Sequence, residues 1–283
     1  MNDLSPAEPY SAAFCEREYN ARAAVPEHKD FFLRWASRST MARERLSCYP
    51  DLAYGPGDKH TVDLFPCADP RGLVVFIHGG YWRALDKSDF SFVAEPFVAN
   101  QIAVAAVNYS LCPTVTVSTI VEECAKAFAW IDKATDRFGL AGKPIVIAGH
   151  SAGGHLAAML HTMDWGRRGV DTTRIKGTIA ISGLYDLEPL LHTSMNEDIR
   201  LDPAQQRQVS PVHLAARLER PLLLFSGALE SREFQRQSRL LHAAWPALSR
   251  APVSLPGCHH FSIVDHFADP DAAAFRATLA LFG

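Results

Sequence analysis

From residue 73 onward, apolar and polar positions alternate between two rhythms. Short apolar runs rich in Val, Ile and Ala occur at 73–77, 102–109, 144–148, 175–182, 221–225 and 253–255, with helically spaced stretches between several of them. This alternation predicts a mostly parallel sheet with helices on both faces. The nearly unbroken apolar run at 102–109 suits a central strand covered on both sides. Thr119 and Glu122 form a capping-box pair, after which Ile120, Cys124, Phe128 and Ile131 recur at helical spacing until Gly139 and Gly142. That pattern predicts a crossover helix. Further helices are expected over 152–161 and 271–281.

Upstream, two short β-rich runs at 51–54 and 61–65 flank Gly55-Pro56-Gly57-Asp58, which reads as a hairpin feeding antiparallel strands into one edge of the sheet. Residues 1–45 do not follow the alternation. Phe31, Phe32 and Trp35 lie there in a helix-like stretch, so the segment is expected to pack as a cap over the body of one domain spanning 1–283. Residues 183–220 are too many for a simple crossover and predict a small helical insertion near the site.

Composition narrows the function. The 283 residues are 48% hydrophobic and 21% charged, enough apolar material for a sizeable core. A formal charge of -3 and the lack of a sustained Lys/Arg run argue against nucleic acid or anionic lipid as partners. Asp3 and Glu8 stand where a secretory leader would be basic and then apolar, and no run is apolar enough to span a bilayer, so a cytoplasmic protein is expected. The six cysteines lack a C-x-x-C pair and predict neither a disulfide framework nor a zinc ribbon. A small-molecule substrate is expected, with self-association left open.

Gly149-His150-Ser151-Ala152-Gly153 matches G-x-S-x-G between a predicted strand and a predicted helix. In that context the serine sits on a tight turn that presents its hydroxyl at the start of a helix, making Ser151 the candidate nucleophile. His78-Gly79-Gly80-Tyr81-Trp82 follows the 73–77 strand. Glycines there let backbone N–H groups approach a developing oxyanion, so Gly80 and Tyr81, with Ala152 after the nucleophile, are the expected donors. Tyr81 and Trp82 are candidate faces for an aryl substrate, and their rings read equally well as core packing.

A serine hydroxyl needs a base, and the base needs an acid to orient it. Glu230, in the loop after 221–225, is the expected acid, with Glu233 in reserve. His260, in Gly257-Cys258-His259-His260-Phe261, is the expected base because the following aromatic can pack its loop down. His150 and His155 are expected to pack or hydrogen-bond rather than act as bases. His259, His260, Asp265 and His266 also have metal-ligand chemistry, but that reading leaves the serine turn unexplained, and no metal or organic cofactor is expected.

The paired motifs, His78 to Trp82 and then Gly149-His150-Ser151-Ala152-Gly153-Gly154-His155-Leu156, resemble the kynurenine formamidase (arylformamidase) branch of the hormone-sensitive-lipase-like α/β hydrolases. The similarity extends through Tyr19-Asn20, Ser182-Gly183-Leu184-Tyr185-Asp186 and Phe234-Gln235-Arg236-Gln237-Ser238. Glu230 stands where that family often has Asp, and Tyr81 where wider lipase-like relatives have a third glycine. The resemblance implies an α/β-hydrolase fold and hydrolysis of an N-formyl or ester bond on an aromatic substrate through an acyl-enzyme. A general short-chain carboxylesterase or amidase is the alternative. A non-catalytic ligand-binding protein of the same fold is the reading from another class.

Overall fold

The computed structural model describes residues 4–283; residues 1–3 of the expected cap lie outside the described residues. Its eight strands are β1 (Tyr49–Ala53), β2 (Thr61–Phe65), β3 (Gly72–Ile77), β4 (Ile102–Val107), β5 (Ile145–His150), β6 (Ile175–Ile181), β7 (Leu222–Gly227) and β8 (Val253–Leu255). They form one sheet in the order β1-β2-β4-β3-β5-β6-β7-β8. β1 and β2 pair antiparallel, β2 joins β4 antiparallel, and every pairing from β4 to β8 is parallel. The mostly parallel sheet expected from the alternation is observed, in the α/β-hydrolase architecture that the resemblance implies.

Every residue of β3, β4 and β5 is buried, which accounts for strands without a polar face. The chain runs from β3 to β4 on one side and then crosses to β5 on the other. The carboxyl ends of β3 and β5 therefore flank the point where strand order reverses, the place where open α/β sheets leave a crevice.

The crossover helix spans Val117–Ala134 and buries Ile120, Cys124, Phe128 and Ile131 as expected. Its start differs. Thr116, not Thr119, supplies the cap: its Oγ1 accepts from the Thr119 N–H at 3.2 Å, and its carbonyl accepts from Ile120 N–H at 3.1 Å. Starting there also buries Val117, while Glu122 pairs with Arg168 instead of closing a capping box.

Residues 183–220 hold two short α-helices, Asn196–Ile199 and Pro203–Gln208, with single 3-10 turns on either side. Buried histidines pin this segment to the body. His155 Nε2 bonds the Val209 carbonyl at 2.6 Å, and His161 bridges the Leu218 carbonyl at 3.1 Å and Thr178 Oγ1 at 2.8 Å. At the other end of the chain, the His28–Arg45 helix lies over the helix that follows His260. Arg34, Arg38 and the Trp35 indole all donate to Asp265, at 2.5, 2.8 and 3.1 Å.

Burial lowers the pKa of both His155 and His161 to about 4, although their carbonyl contacts oppose the shift. They stay neutral in the fold while the unfolded chain binds protons from about pH 6.5 downward, so stability is present above that value and is lost as pH falls toward 4. Each histidine is expected to remove roughly 2 kcal/mol between pH 7 and pH 5. Denaturant midpoints measured across that range should therefore drop, and His161→Gln should flatten the slope; a midpoint independent of pH from 7 to 5 would contradict this account.

Candidate active site

β5 passes into the Ala152–Met159 helix with Ser151 as the turning residue, at φ 55° and ψ -119°. A non-glycine residue in this region is strained by about 1–3 kcal/mol and persists only where its surroundings fix it. Backbone approach supplies the fixing. The Ser151 N–H donates to the Ile181 carbonyl on β6 at 2.8 Å, and its own carbonyl accepts from His155 N–H at 3.0 Å. The helix then crosses so close to β3 that a Cβ on Gly153 would sit 2.0 Å from the Ile77 carbonyl oxygen.

Ser151 Oγ lies 3.0 Å from His260 Nε2, and His260 Nδ1 lies 3.1 Å from Glu230 Oε1. Ser182, the first residue after β6, donates its hydroxyl to the same Glu230 oxygen at 2.5 Å. All four side chains are buried. A carboxylate accepts at the Nδ1 side, so that nitrogen carries the proton and Nε2 presents a lone pair to the serine hydroxyl. Phe234 packs on the His260 ring at a centroid distance of 4.5 Å. Phe261 anchors the loop against Phe32, 5.4 Å between centroids, and against Trp35.

The other acidic and histidine candidates are engaged elsewhere. Glu233 is held by Arg236, with Nη2 to Oε2 at 2.6 Å, and by the Tyr19 hydroxyl at 2.9 Å. His259 Nδ1 accepts from the N–H groups of Phe261 and Ser262. Asp265 serves the N-terminal helix, so the alternative metal set does not converge. His150 donates from Nε2 to the His260 carbonyl at 2.8 Å, holding the main chain of the base loop. Burial first, then the positive charge His260 can carry, pushes the His150 pKa well below its ordinary value.

Gly80, Tyr81 and Trp82 form a run of positive φ at 118°, 51° and 56°. Gly80 cannot carry a side chain, since its Cβ would meet the Ala84 carbonyl oxygen at 2.0 Å. Among the described residues, the backbone N–H groups of Gly80, Tyr81 and Ala152 donate to no protein acceptor. The same run decides between the two readings of Trp82, against a place in the cleft and for the core. Its backbone turns the indole inward, where it is fully buried and donates to His155 Nδ1 at 3.2 Å. Trp82 therefore ties the loop to the Ala152–Met159 helix and does not line the cleft; Tyr81 does.

A cleft opens over Ser151. Its walls include Asn20, Ala21, Arg22, Phe32 and Trp35 from the N-terminal segment, together with Leu85, Met195 and Phe261. Sequence reasoning did not assign these to the site. The only available signals were Tyr19-Asn20 within the resemblance and the aromatic cluster at Phe31, Phe32 and Trp35. The Tyr81 hydroxyl donates to the Tyr19 carbonyl, which fixes the segment over the loop.

The close approach at Gly153 makes a test of the turn. Gly153→Ala should lower the Tm by at least about 5 °C, because its Cβ meets backbone that cannot yield. Gly166→Ala, where the added atom would meet only an Asp164 oxygen at 3.5 Å, should leave it within about 2 °C. Differential scanning fluorimetry decides; equal Tm values would remove the steric argument.

The chain is similar to known proteins. Residues 67–245 match the BD-FAE family. The chain is 30% identical to a kynurenine formamidase of Salmo salar, over 82% of this chain and 81% of that one. It is 29% identical to a kynurenine formamidase of Danio rerio, over 87% and 86%. A crystal structure from Silicibacter sp. TM1040, of a protein proposed to be a thioesterase, superposes with a TM-score of 0.85 at 36% identity, over 93% of this chain and 98% of that one. An esterase of Pyrobaculum calidifontis, 18% identical over 98% of each chain with a TM-score of 0.67, shares the fold. The chain thus belongs to the BD-FAE family and to the kynurenine formamidase-like branch of the α/β-hydrolase superfamily, and it is a hydrolase of the formamidase and esterase type.

Proposed function

We propose that this hydrolase cleaves a formamide or ester bond of a small aromatic substrate, with Ser151 as nucleophile, His260 as general base and Glu230 as the acid that orients it. The observation that carries the proposal is His260 bridging Ser151 Oγ at 3.0 Å and Glu230 Oε1 at 3.1 Å on the floor of an apolar cleft. For a formamide, Ser151 Oγ attacks the formyl carbon as its proton passes to His260 Nε2. The resulting oxyanion is met by the N–H groups of Gly80, Tyr81 and Ala152. His260 returns the proton to the departing nitrogen, the C–N bond breaks and a formyl-enzyme remains. Water then attacks that ester, His260 accepting one of its protons and passing it to Ser151 Oγ as the acyl C–O bond breaks; formic acid leaves and ionises in water.

The aromatic substrate is supported by Tyr81, Phe32, Trp35 and Phe261 in the walls and by the formamidase names of two relatives. A cytoplasmic setting belongs to the same proposal: all six cysteines are free thiols, and no helix among the described residues is long and apolar enough to cross a membrane.

Steady-state kcat/KM on N-formylkynurenine beside p-nitrophenyl acetate tests the reading. Ser151→Ala should lower both by about 1,000-fold or more, and Glu230→Gln should lower kcat by between about 100- and 10,000-fold with little change in KM. A wild-type preference for the formamide supports formamidase activity. Ester turnover alone, still dependent on Ser151, would make the enzyme a carboxylesterase. Turnover surviving Ser151→Ala would overturn the mechanism.

A further inference from the structure

Resting on the reading of Ser151, His260 and Glu230 as the triad, we propose that Ser182 is a positioning residue for the reaction. Its hydroxyl fixes the Glu230 carboxylate in the orientation that serves His260, and it acts on turnover without touching the substrate. Sheet order puts Ser182 between the groups it links. β5, β6 and β7 are successive neighbours, with His150 paired to Ile181 and Ile181 to Phe225. Ser151 leaves β5, Ser182 leaves β6 and Glu230 stands in the loop that leaves β7. To reach the base of Ser151, the carboxylate passes over the end of β6. There the Ser182 hydroxyl donates to Oε1 at 2.5 Å, the same oxygen that lies 3.1 Å from His260 Nδ1.

The carboxylate has little else to hold it. Glu230 Oε2 is buried and has no hydrogen-bond partner among the described residues, so the hydrogen bonding of the group falls on Oε1. The torsion that turns a glutamate carboxyl group is soft, and one bond to an imidazole leaves its plane free to tilt. A second, charge-assisted donor fixes that plane. The backbone at Ser182 gives an independent reason to assign it a role. Its φ is 49°, in the left-handed region where a side chain is costly and glycine is not. Its N–H is tied to the Phe225 carbonyl at 2.7 Å. Ser151, one strand away, is built the same way, with φ 55° and its N–H on the Ile181 carbonyl at 2.8 Å. A strained position that served only the chain reversal is filled best by glycine. At Ser182 the strain instead secures a fully buried hydroxyl against the acid. Ser182 does not line the cleft, so its effect reaches the substrate only through Glu230 and His260.

The test measures kcat and KM of the full chain on p-nitrophenyl acetate in wild type, Ser182→Ala, Ser182→Gly, Glu230→Ala and the double variant Ser182→Ala/Glu230→Ala. Ser182→Ala is expected to lower kcat about ten-fold or more while KM stays within about two-fold. Ser182→Gly relieves the backbone but also lacks the hydroxyl, and is expected to lose as much. In the Glu230→Ala background the further loss of the Ser182 hydroxyl is expected to change kcat by less than about two-fold, because the group it holds is gone. Three results would overturn the proposal. One is Ser182→Ala turning over within two-fold of wild type, and another is Ser182→Gly doing so. The third is Ser182→Ala costing as much without Glu230 as with it, the mark of a role in the fold alone. Failure of the triad reading looks different: Glu230→Ala by itself would then leave kcat near the wild-type value.

Discussion

The strained backbone at Ser151 is the constraint on which the site depends. A residue at φ 55° and ψ -119° relaxes unless both flanking elements are held, and here they are held by backbone against backbone. β5 is locked between β3 and β6, and the helix after Ser151 crosses the end of β3 at a distance only a glycine tolerates. The same approach places the first N–H of that helix beside the loop that leaves β3. The Ser151 hydroxyl and the candidate oxyanion donors are thus set by one packing event, and neither depends on a flexible side chain.

A second tie joins three distant segments behind the site. The Gln237 side-chain carbonyl accepts from the N–H groups of Tyr185 and Asp186 at 2.7 and 2.8 Å, while its amide donates to the Tyr19 hydroxyl at 3.0 Å and the Asp186 carbonyl at 2.9 Å. Tyr19 in turn donates to Glu233. Gln237 belongs to the helix that begins just after Glu230 and presents Phe234 to His260, so this network connects the acid loop, the chain leaving β6 and the N-terminal segment. Every side-chain polar atom of Gln237 is satisfied in a fully buried position, the condition under which a polar network rigidifies its surroundings instead of weakening them.

Local rules made much of this legible. Apolar runs of strand length and the placement of G-x-S-x-G between strand and helix depend on neighbours in sequence, and the sheet formed where those runs stand. Glu230 and His260, expected on the loops after β7 and before the last helices, come together with Ser151. The misses have a common cause. Thr119 and Thr116 offer the same capping hydroxyl, and only the burial of Val117 against the sheet selects the earlier one. Trp82 beside its glycine loop reads equally as an aryl-binding face or as core, and consecutive positive φ values decide for the core, a tertiary effect imposed by the close packing around Gly80.

Electrostatics around the base follow from the same packing. His150 stands next to Ser151 in sequence, and its ring lies 4.9 Å from that of His260. If both rings were charged, the imidazolium that the proposed mechanism forms on His260 would face a second cation across a buried contact, and the barrier would rise. Burial removes that conflict by holding His150 neutral. Neutrality has a structural consequence too. A neutral imidazole has one N–H, and His150 uses it at Nε2 to grip the His260 carbonyl. His150 therefore holds the His260 loop through a hydrogen bond without adding positive charge, while Glu230 lies on the Nδ1 side, where it would stabilise the proton that the proposed mechanism gives His260.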